Sequence, residues 1–242
     1  ANNMAWRRMH DTRITRFKDF YISCSFDGGI YFTFPAGGGD HAEVLGEMKR
    51  FAEANGSPLV IGSVTPDLFP VFKENFPEGS YEIICDEGDW DYVYNASDLA
   101  ELKGKKYHGK RNHLKKLLDG EYSYEPLTEK DFDDCITYAV GTYNRSDAYD
   151  DRSKVCEQFA INTYFENFHA LGLSGGVLRV GGNVAAFTIG ERINSDTLGV
   201  HIEKAEASVE GAYPAINYLF ARSASEGFSY INREEDLGIE GL

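Results

Sequence analysis

Gly176-Val177-Leu178-Arg179-Val180-Gly181-Gly182-Asn183-Val184-Ala185-Ala186-Phe187-Thr188-Ile189 reads as two strands folded back on each other. Both flanks are apolar, and Gly181-Gly182-Asn183 supplies the left-handed backbone that a tight turn demands. Helical signals surround this hairpin. Upstream, Thr128 and Asp131 are spaced to cap a helix carrying Phe132, Cys135, Ile136 and Ala139. A polar loop is expected over 144–151, and Val155, Phe159, Ile161, Phe165 and Phe168 then mark a long helix that stops at Gly172. Downstream, Thr197 to Ile202 is a third strand. Gly211 to Ile216 opens a helix with Ile216, Leu219, Phe220 and Ala224 inward, and Phe228 to Ile231 is a last strand.

The N-terminal half repeats this rhythm of helix, hairpin, strand, helix and strand. Asn2 to Arg8 is helical; Asp19 to Cys24 and Ile30 to Phe34 flank the turn Asp27-Gly28-Gly29. Asp40 with Glu43 caps a helix that ends at Asn55-Gly56, and Leu59 to Gly62 is a short strand. Thr65-Pro66 starts a helix with Leu68, Phe72 and Phe76 on one stripe. Tyr81 to Cys85 and Trp90 to Tyr94 form a second expected strand pair. The reading is a mixed α/β fold in two similar units, 1–96 and 120–242, joined by a basic linker helix over 97–119. It rests on element order, since no residue-level repeat is visible.

Composition narrows the classes. A chain of 242 residues suits two domains, and 42% apolar content with 14% aromatic residues excludes a disordered chain. A net charge of −15 argues against a DNA-coating protein, which needs a broad basic face. No apolar run approaches the roughly 20 residues of a membrane helix. Cys24, Cys85, Cys135 and Cys156 are far apart, so reduced thiols and a cytoplasmic setting are expected, with no metal site. The chain opens Ala1-Asn2-Asn3, and residues are expected to be missing at both ends.

Against the acidic background, seven of the 24 basic residues fall between Lys103 and Lys116 with no acid among them. In helical phase Tyr107, Arg111, Leu114 and Leu118 share a face, while Lys106, Lys110 and His113 project elsewhere. Such a helix can dock by its apolar seam and offer charge to a polyanion; a solvated linker gives the same pattern. Two further clusters stand out. His201 and Glu203, two apart on a strand, should point to one face. Tyr230-Ile231-Asn232-Arg233-Glu234-Glu235-Asp236 leaves an apolar strand at the end where sites in α/β sheets gather. Phosphate-loop and nucleophile-elbow templates are missing.

Tyr92-Val93-Tyr94, Leu102 to Leu114, His201-Ile202-Glu203-Lys204, Gly211-Ala212-Tyr213 with Asn217, and Tyr230 to Gly241 together resemble a bacterial family, as do Trp6-Arg7 and Phe34 to Gly37. It is the family of the phosphatidylglycerol lysyltransferase C-terminal domain. The resemblance runs over essentially the whole chain, in order. It implies a tandem GNAT-like fold shared with the Fem aminoacyltransferases, and acyl transfer, with an aminoacyl group delivered by charged tRNA. Lysyltransferases of this family carry a membrane-spanning region ahead of the module. None is visible here, so a small-molecule or peptide acceptor is expected.

On this basis Lys105, Lys106, Lys110 and Arg111 are expected to meet tRNA phosphates. His201 or Glu203 would accept the nucleophile's proton, and Lys204 or Arg233 would hold an anionic group. Tyr213, Asn217, Asn232 and Glu235 would complete the substrate site. Acetyl-CoA is disfavoured, because the stretch Glu206 to Ala212 lacks the arginine and first glycine of a CoA loop and puts Glu206 and Glu210 where anions bind. The other readings are a CoA-dependent N-acyltransferase with a degenerate loop, and a ligand-binding module without catalysis.

Overall fold

In the computed structural model, residues 2–144, 152–224 and 226–235 are described, and the chain divides between Cys85 and Asp86 into two compact units. The polar loop expected over 144–151 and the end of the closing motif, 236–241, lie almost wholly outside the described residues.

The first unit contains α1 (Asn2–Ala5), β1 (Arg13–Phe17), β2 (Phe20–Ser25), β3 (Tyr31–Thr33), β4 (Ala36–Gly37), α2 (His41–Ala54), β5 (Val60–Gly62) and α3 (Phe69–Asn75). Its sheet runs β1-β2-β3-β5, with β4 also on β2. The Asp40 side chain accepts from the Ala42 amide and starts α2. That helix buries Val44, Leu45, Met48 and Ala52 in one core with Phe20, Ile22, Phe32 and Phe34. Expected strand 81–85 is irregular instead.

The second unit contains β6 (Asp91–Asn95), α4 (Ala96–Glu101), α5 (His108–Leu118), β7 (Tyr122–Pro126), α6 (Phe132–Asn144), α7 (Arg152–Glu166), β8 (Leu173–Val180), β9 (Asn183–Arg192), β10 (Thr197–Ala205), α8 (Ala212–Ala224) and β11 (Tyr230–Glu235). Its sheet is ordered β6-β11-β10-β9-β8-β7; only β10 and β11 are parallel, connected through α8. The β8–β9 hairpin turns at Gly181 and Gly182, both at positive φ, as the sequence demands. Thr128 and Asp131 form the capping box ahead of α6.

Two boundaries differ from the sequence reading. The expected break at 96/97 falls earlier, because β6 pairs with β11 and so belongs to the second sheet. Segment 97–119 is not a free linker. Its α4 and α5 both lie against α8. Tyr107, Leu114 and Leu117 are buried in the core that includes Leu178, Ala186 and Ile216. The apolar seam read from the sequence is therefore the docking face of α5, and the unit's own burial holds the basic helix in place.

Gly211, at the entry to α8, sets how closely α8 and α5 approach. Its φ is +86°, and a Cβ there would lie 2.4 Å from the His113 carbonyl oxygen and 3.2 Å from Leu117 Cβ. Gly211→Ala is therefore expected to cost at least about 2 kcal/mol, from strained backbone plus displacement of α5. Urea unfolding reads this directly; an unchanged midpoint would mean that the α5–α8 contact is loose.

Candidate functional site

β10 and β11 pair over Thr197↔Tyr230, Leu198↔Ile231 and Gly199↔Asn232, and their backbone ladder ends there. Beyond that point each strand carries an irregularity. The β10–β9 register shifts between Val200 and Ile202, and the β11–β6 register shifts between Asn232 and Glu235. Glu234 takes a left-handed φ of 64°, which a residue with a side chain adopts only under local constraint. The constraint is visible: the Glu234 amide donates to Asn232 Oδ1 at 2.7 Å, while Asn232 Nδ2 donates to Asp91 Oδ2 of β6 at 2.6 Å.

A bulge inserts one residue and so changes the phase of a strand. The sequence reading put His201 and Glu203 on one face; the bulge puts them on opposite faces. His201 stacks on Tyr164 of α7 with ring centroids 5.4 Å apart and planes 4° apart. Glu203 reaches Asn217 of α8. The neighbouring strand divides in step, with Glu234 joining His201 and Arg233 joining Glu203.

On the α7 face, the His201 side chain is 4% exposed. Its Nδ1 is 2.5 Å from Glu234 Oε1 and its Nε2 is 3.0 Å from Glu191 Oε1. Burial alone would depress the imidazole's pKa, but the two carboxylates outweigh it and push it up to about 9. Both ring nitrogens then donate. A cation with both protons engaged cannot serve as the expected proton acceptor, so His201 is a structural lock. Lys204 lies on this face too, 2.8 Å from Glu157 of α7, and is likewise not beside Glu203.

On the α8 face, Glu203 Oε1 accepts from Arg233 Nη2 at 2.8 Å and Oε2 from Asn217 Nδ2 at 3.4 Å. The Tyr213 hydroxyl donates to the Glu203 carbonyl oxygen at 3.0 Å. The carboxylate is 5% exposed. Burial raises its pKa, with Arg233, Asn217 and Lys110 pulling the other way. Lys110 reaches this cluster from α5: burial lowers its pKa, Arg233 lowers it further, and Glu203 opposes both.

The structure thus brings together Glu203, Tyr213, Asn217, Arg233 and Lys110. It sets Asn232 and Glu235 at the β6 edge, where burial and the nearby charges of Glu234, Asp91 and Asp89 raise the pKa of Glu235. Among the other basic residues, Arg111 is a correction. Its Nη1 donates to the carbonyl oxygens of Leu102 and Gly104, pinning the turn ahead of α5, so this guanidinium is not a free phosphate clamp. Lys106 is 3.3 Å from Asp98 and lies over the Tyr107 ring, yet remains exposed. The sequence reading missed Glu191, Tyr164 and Glu157, which lie on other elements and carry no local signal. A cleft of about 310 Å³ lies elsewhere, lined by Ser123, Glu125, Lys130, Asp131, Val177 and Arg179. Its charges are spent on one another, with Arg179 bridging Asp131 and Asp134 at 3.1 and 2.8 Å.

The sequence matches the family described as phosphatidylglycerol lysyltransferase, C-terminal, over residues 1–242. The chain belongs to that family. A conserved protein of unknown function from Bacteroides thetaiotaomicron is 36% identical, with a TM-score of 0.89 over 99% of this chain and 82% of that one. The L-PGS structure from Bacillus licheniformis has a TM-score of 0.65 at 12% identity, covering 99% of this chain and 80% of that one. FemX has a TM-score of 0.58 at 8% identity, covering 98% and 83%. At such identities these two establish the fold, the GNAT-like mixed α/β architecture expected from the sequence. Among curated proteins, none matches the sequence. No helix among the described residues of this lysyltransferase-family chain is long and apolar enough to cross a membrane.

The His201 lock has a pH signature. The folded pKa of about 9 exceeds the ordinary value of 6.5, so its stabilisation is complete below pH 6.5 and lost as pH rises through 9. The loss is on the order of 3 kcal/mol. Unfolding free energies of the parent should fall across that window, and His201→Gln should flatten the slope. An equal slope in both proteins would remove the lock.

Proposed function

We propose that this chain transfers an aminoacyl group from charged tRNA to a hydroxyl or amine acceptor, with Glu203 as the proton acceptor. Family membership supports acyl transfer in general. The observation that carries the finer reading is the Glu203 carboxylate. It is nearly enclosed, its pKa is raised by burial, and Arg233 and Asn217 hold it at the carboxyl ends of two parallel strands.

An aminoacyl ester is already activated. The protein has to bring the acceptor to the ester carbonyl, take a proton and steady the developing oxyanion. The acceptor oxygen or nitrogen attacks the carbonyl carbon and its proton passes to Glu203. When the tetrahedral intermediate collapses, the ester bond to the tRNA ribose breaks and the ribose oxygen takes that proton back. Tyr213 and Asn217 hold Glu203 in place for both transfers.

Lys105 and Lys106, exposed on the turn into α5, meet tRNA phosphates. Support for a donor other than acetyl-CoA comes from the approach to α8. There Glu206 accepts from the Ser208 amide at 3.3 Å, and Glu210 pairs with Lys116 at 2.5 Å. Two carboxylates stand where a pyrophosphate would need a positive helix end.

The test mixes the purified chain with a pool of aminoacylated tRNA labelled on the amino acid, and with glycerol, free amino acids or phosphatidylglycerol vesicles as acceptors. Label should move to an acceptor, and Glu203→Gln should slow this by about 10²–10⁴-fold. The parent rate should fall on acidification through the raised Glu203 pKa. Release of free CoA from acetyl-CoA, with no movement of aminoacyl label, would replace this reading with a CoA-dependent one. A Lys105→Ala, Lys106→Ala double variant should bind charged tRNA roughly tenfold more weakly and with a shallower salt dependence.

A further inference from the structure

Lys110 stands apart from the other basic residues of its segment. Lys105 and Lys106 lie on the exposed turn before α5, Arg111 is tied to the carbonyls of Leu102 and Gly104, and Lys116 is paired with Glu210. Lys110 instead interacts electrostatically with Glu203 and Arg233, and among the described residues it forms no hydrogen bond or ion pair. It remains open to solvent.

Among the described residues the charge in that cluster does not balance: Lys110 and Arg233 are two cations interacting with one carboxylate, that of Glu203. Arg233 gives Nη2 to Glu203, while its Nε is buried without an acceptor, although the side chain as a whole keeps 26% of its surface exposed. A buried donor left unsatisfied costs about 1–3 kcal/mol. A purely structural ion pair would have no need of Lys110. One added negative group between the lysine and the exposed edge of the guanidinium would balance the charges and give Lys110 an acceptor.

We propose that Lys110 and the exposed edge of Arg233 bind an oxyanion, a carboxylate or a phosphate, carried by the acceptor substrate. This rests on the acyl-transfer reading and deepens it. The anion anchors the acceptor on the α8 face, with its nucleophile directed towards Glu203. Lys110 thereby leaves the set of tRNA-contacting residues and becomes a determinant of acceptor choice. Arg233, with its planar edge, fixes the orientation of the bound group.

The experiment is titration calorimetry on the full chain with inorganic phosphate and, separately, acetate, at ionic strength held constant with chloride. Saturable binding of either anion is expected, at least tenfold weaker in Lys110→Gln and unchanged in Lys49→Gln, an exposed lysine of the first unit used as control. Phosphate bound in preference to acetate identifies a phosphate-bearing acceptor; the reverse identifies a carboxylate-bearing one. Because Lys110 makes no contact that holds the fold, its variant should unfold at the parent's midpoint. Arg233→Lys, which keeps the charge beside Glu203 but loses the planar edge, should also weaken binding. No saturable binding of either anion, or equal binding by the parent and Lys110→Gln, overturns the proposal. Aminoacyl transfer measured alongside separates the two readings. Anion binding without transfer defeats the acyl-transfer reading and leaves the anion site standing. Transfer with an unchanged acceptor KM in Lys110→Gln defeats the anion site alone.

Discussion

The imidazolium of His201, held between Glu191 and Glu234 and stacked on Tyr164, fastens the second unit at the point where its backbone ladder gives out. Two parallel strands that stop pairing leave amide and carbonyl groups without partners, and such groups are costly to bury. Here side chains take over from the backbone. His201 links β9, β10 and β11 through two carboxylates, and Asn232 links β11 to β6 while capping the turned backbone of Glu234. Removing one member of such a buried charged cluster strands the rest, so the cluster behaves as a unit.

That fastening makes the site next to it possible. The bulges in β10 and β11 shift both strands' phase together, and consecutive residues serve opposite faces: Glu234 and His201 towards α7, Arg233 and Glu203 towards α8. The lock and the chemistry share a backbone but not a face. The charged histidine is thereby kept apart from Glu203, the carboxylate proposed as proton acceptor. Had the strands been regular, His201 and Glu203 would have crowded one side, and Glu203 would have met an imidazolium instead of Arg233 and Asn217.

The sequence carried those features that local chemistry encodes. The Gly181-Gly182 turn, the Thr128–Asp131 capping box, and the apolar seam of Tyr107 and Leu114 each appear where spacing and turn chemistry place them. The assignment of β6 to the second sheet was not legible, because Asp91–Asn95 pairs with a strand far along the chain and no local pattern reports that partner. Nor were the bulges: one extra residue in an apolar strand leaves composition unchanged while reversing the side chains beyond it. Arg111 looked like surface charge because its partners are backbone carbonyls, which every sequence possesses. Glu203 and Arg233 were singled out because each lies towards a strand end, whereas Tyr213 and Asn217 entered through the family resemblance. Their grouping without His201 and Lys204 required the coordinates.

Long-range electrostatics constrain any polyanionic partner. The net charge of −15 repels nucleic acid at a distance, and screening confines that repulsion to about 8 Å at physiological salt. Within that range the local arrangement decides. Lys106 is paired with Asp98 and the neighbouring Lys103 with Glu101, while Lys105 forms no ion pair among the described residues; Lys116 and His113 are shadowed by Glu210. Positive charge without an ion-pair partner among the described residues thus includes Lys105, on the turn ahead of α5, and Lys110, in the first turn of that helix. The proposed docking of a charged tRNA would therefore rely on a local basic turn within an acidic molecule, with no need for a broad basic surface.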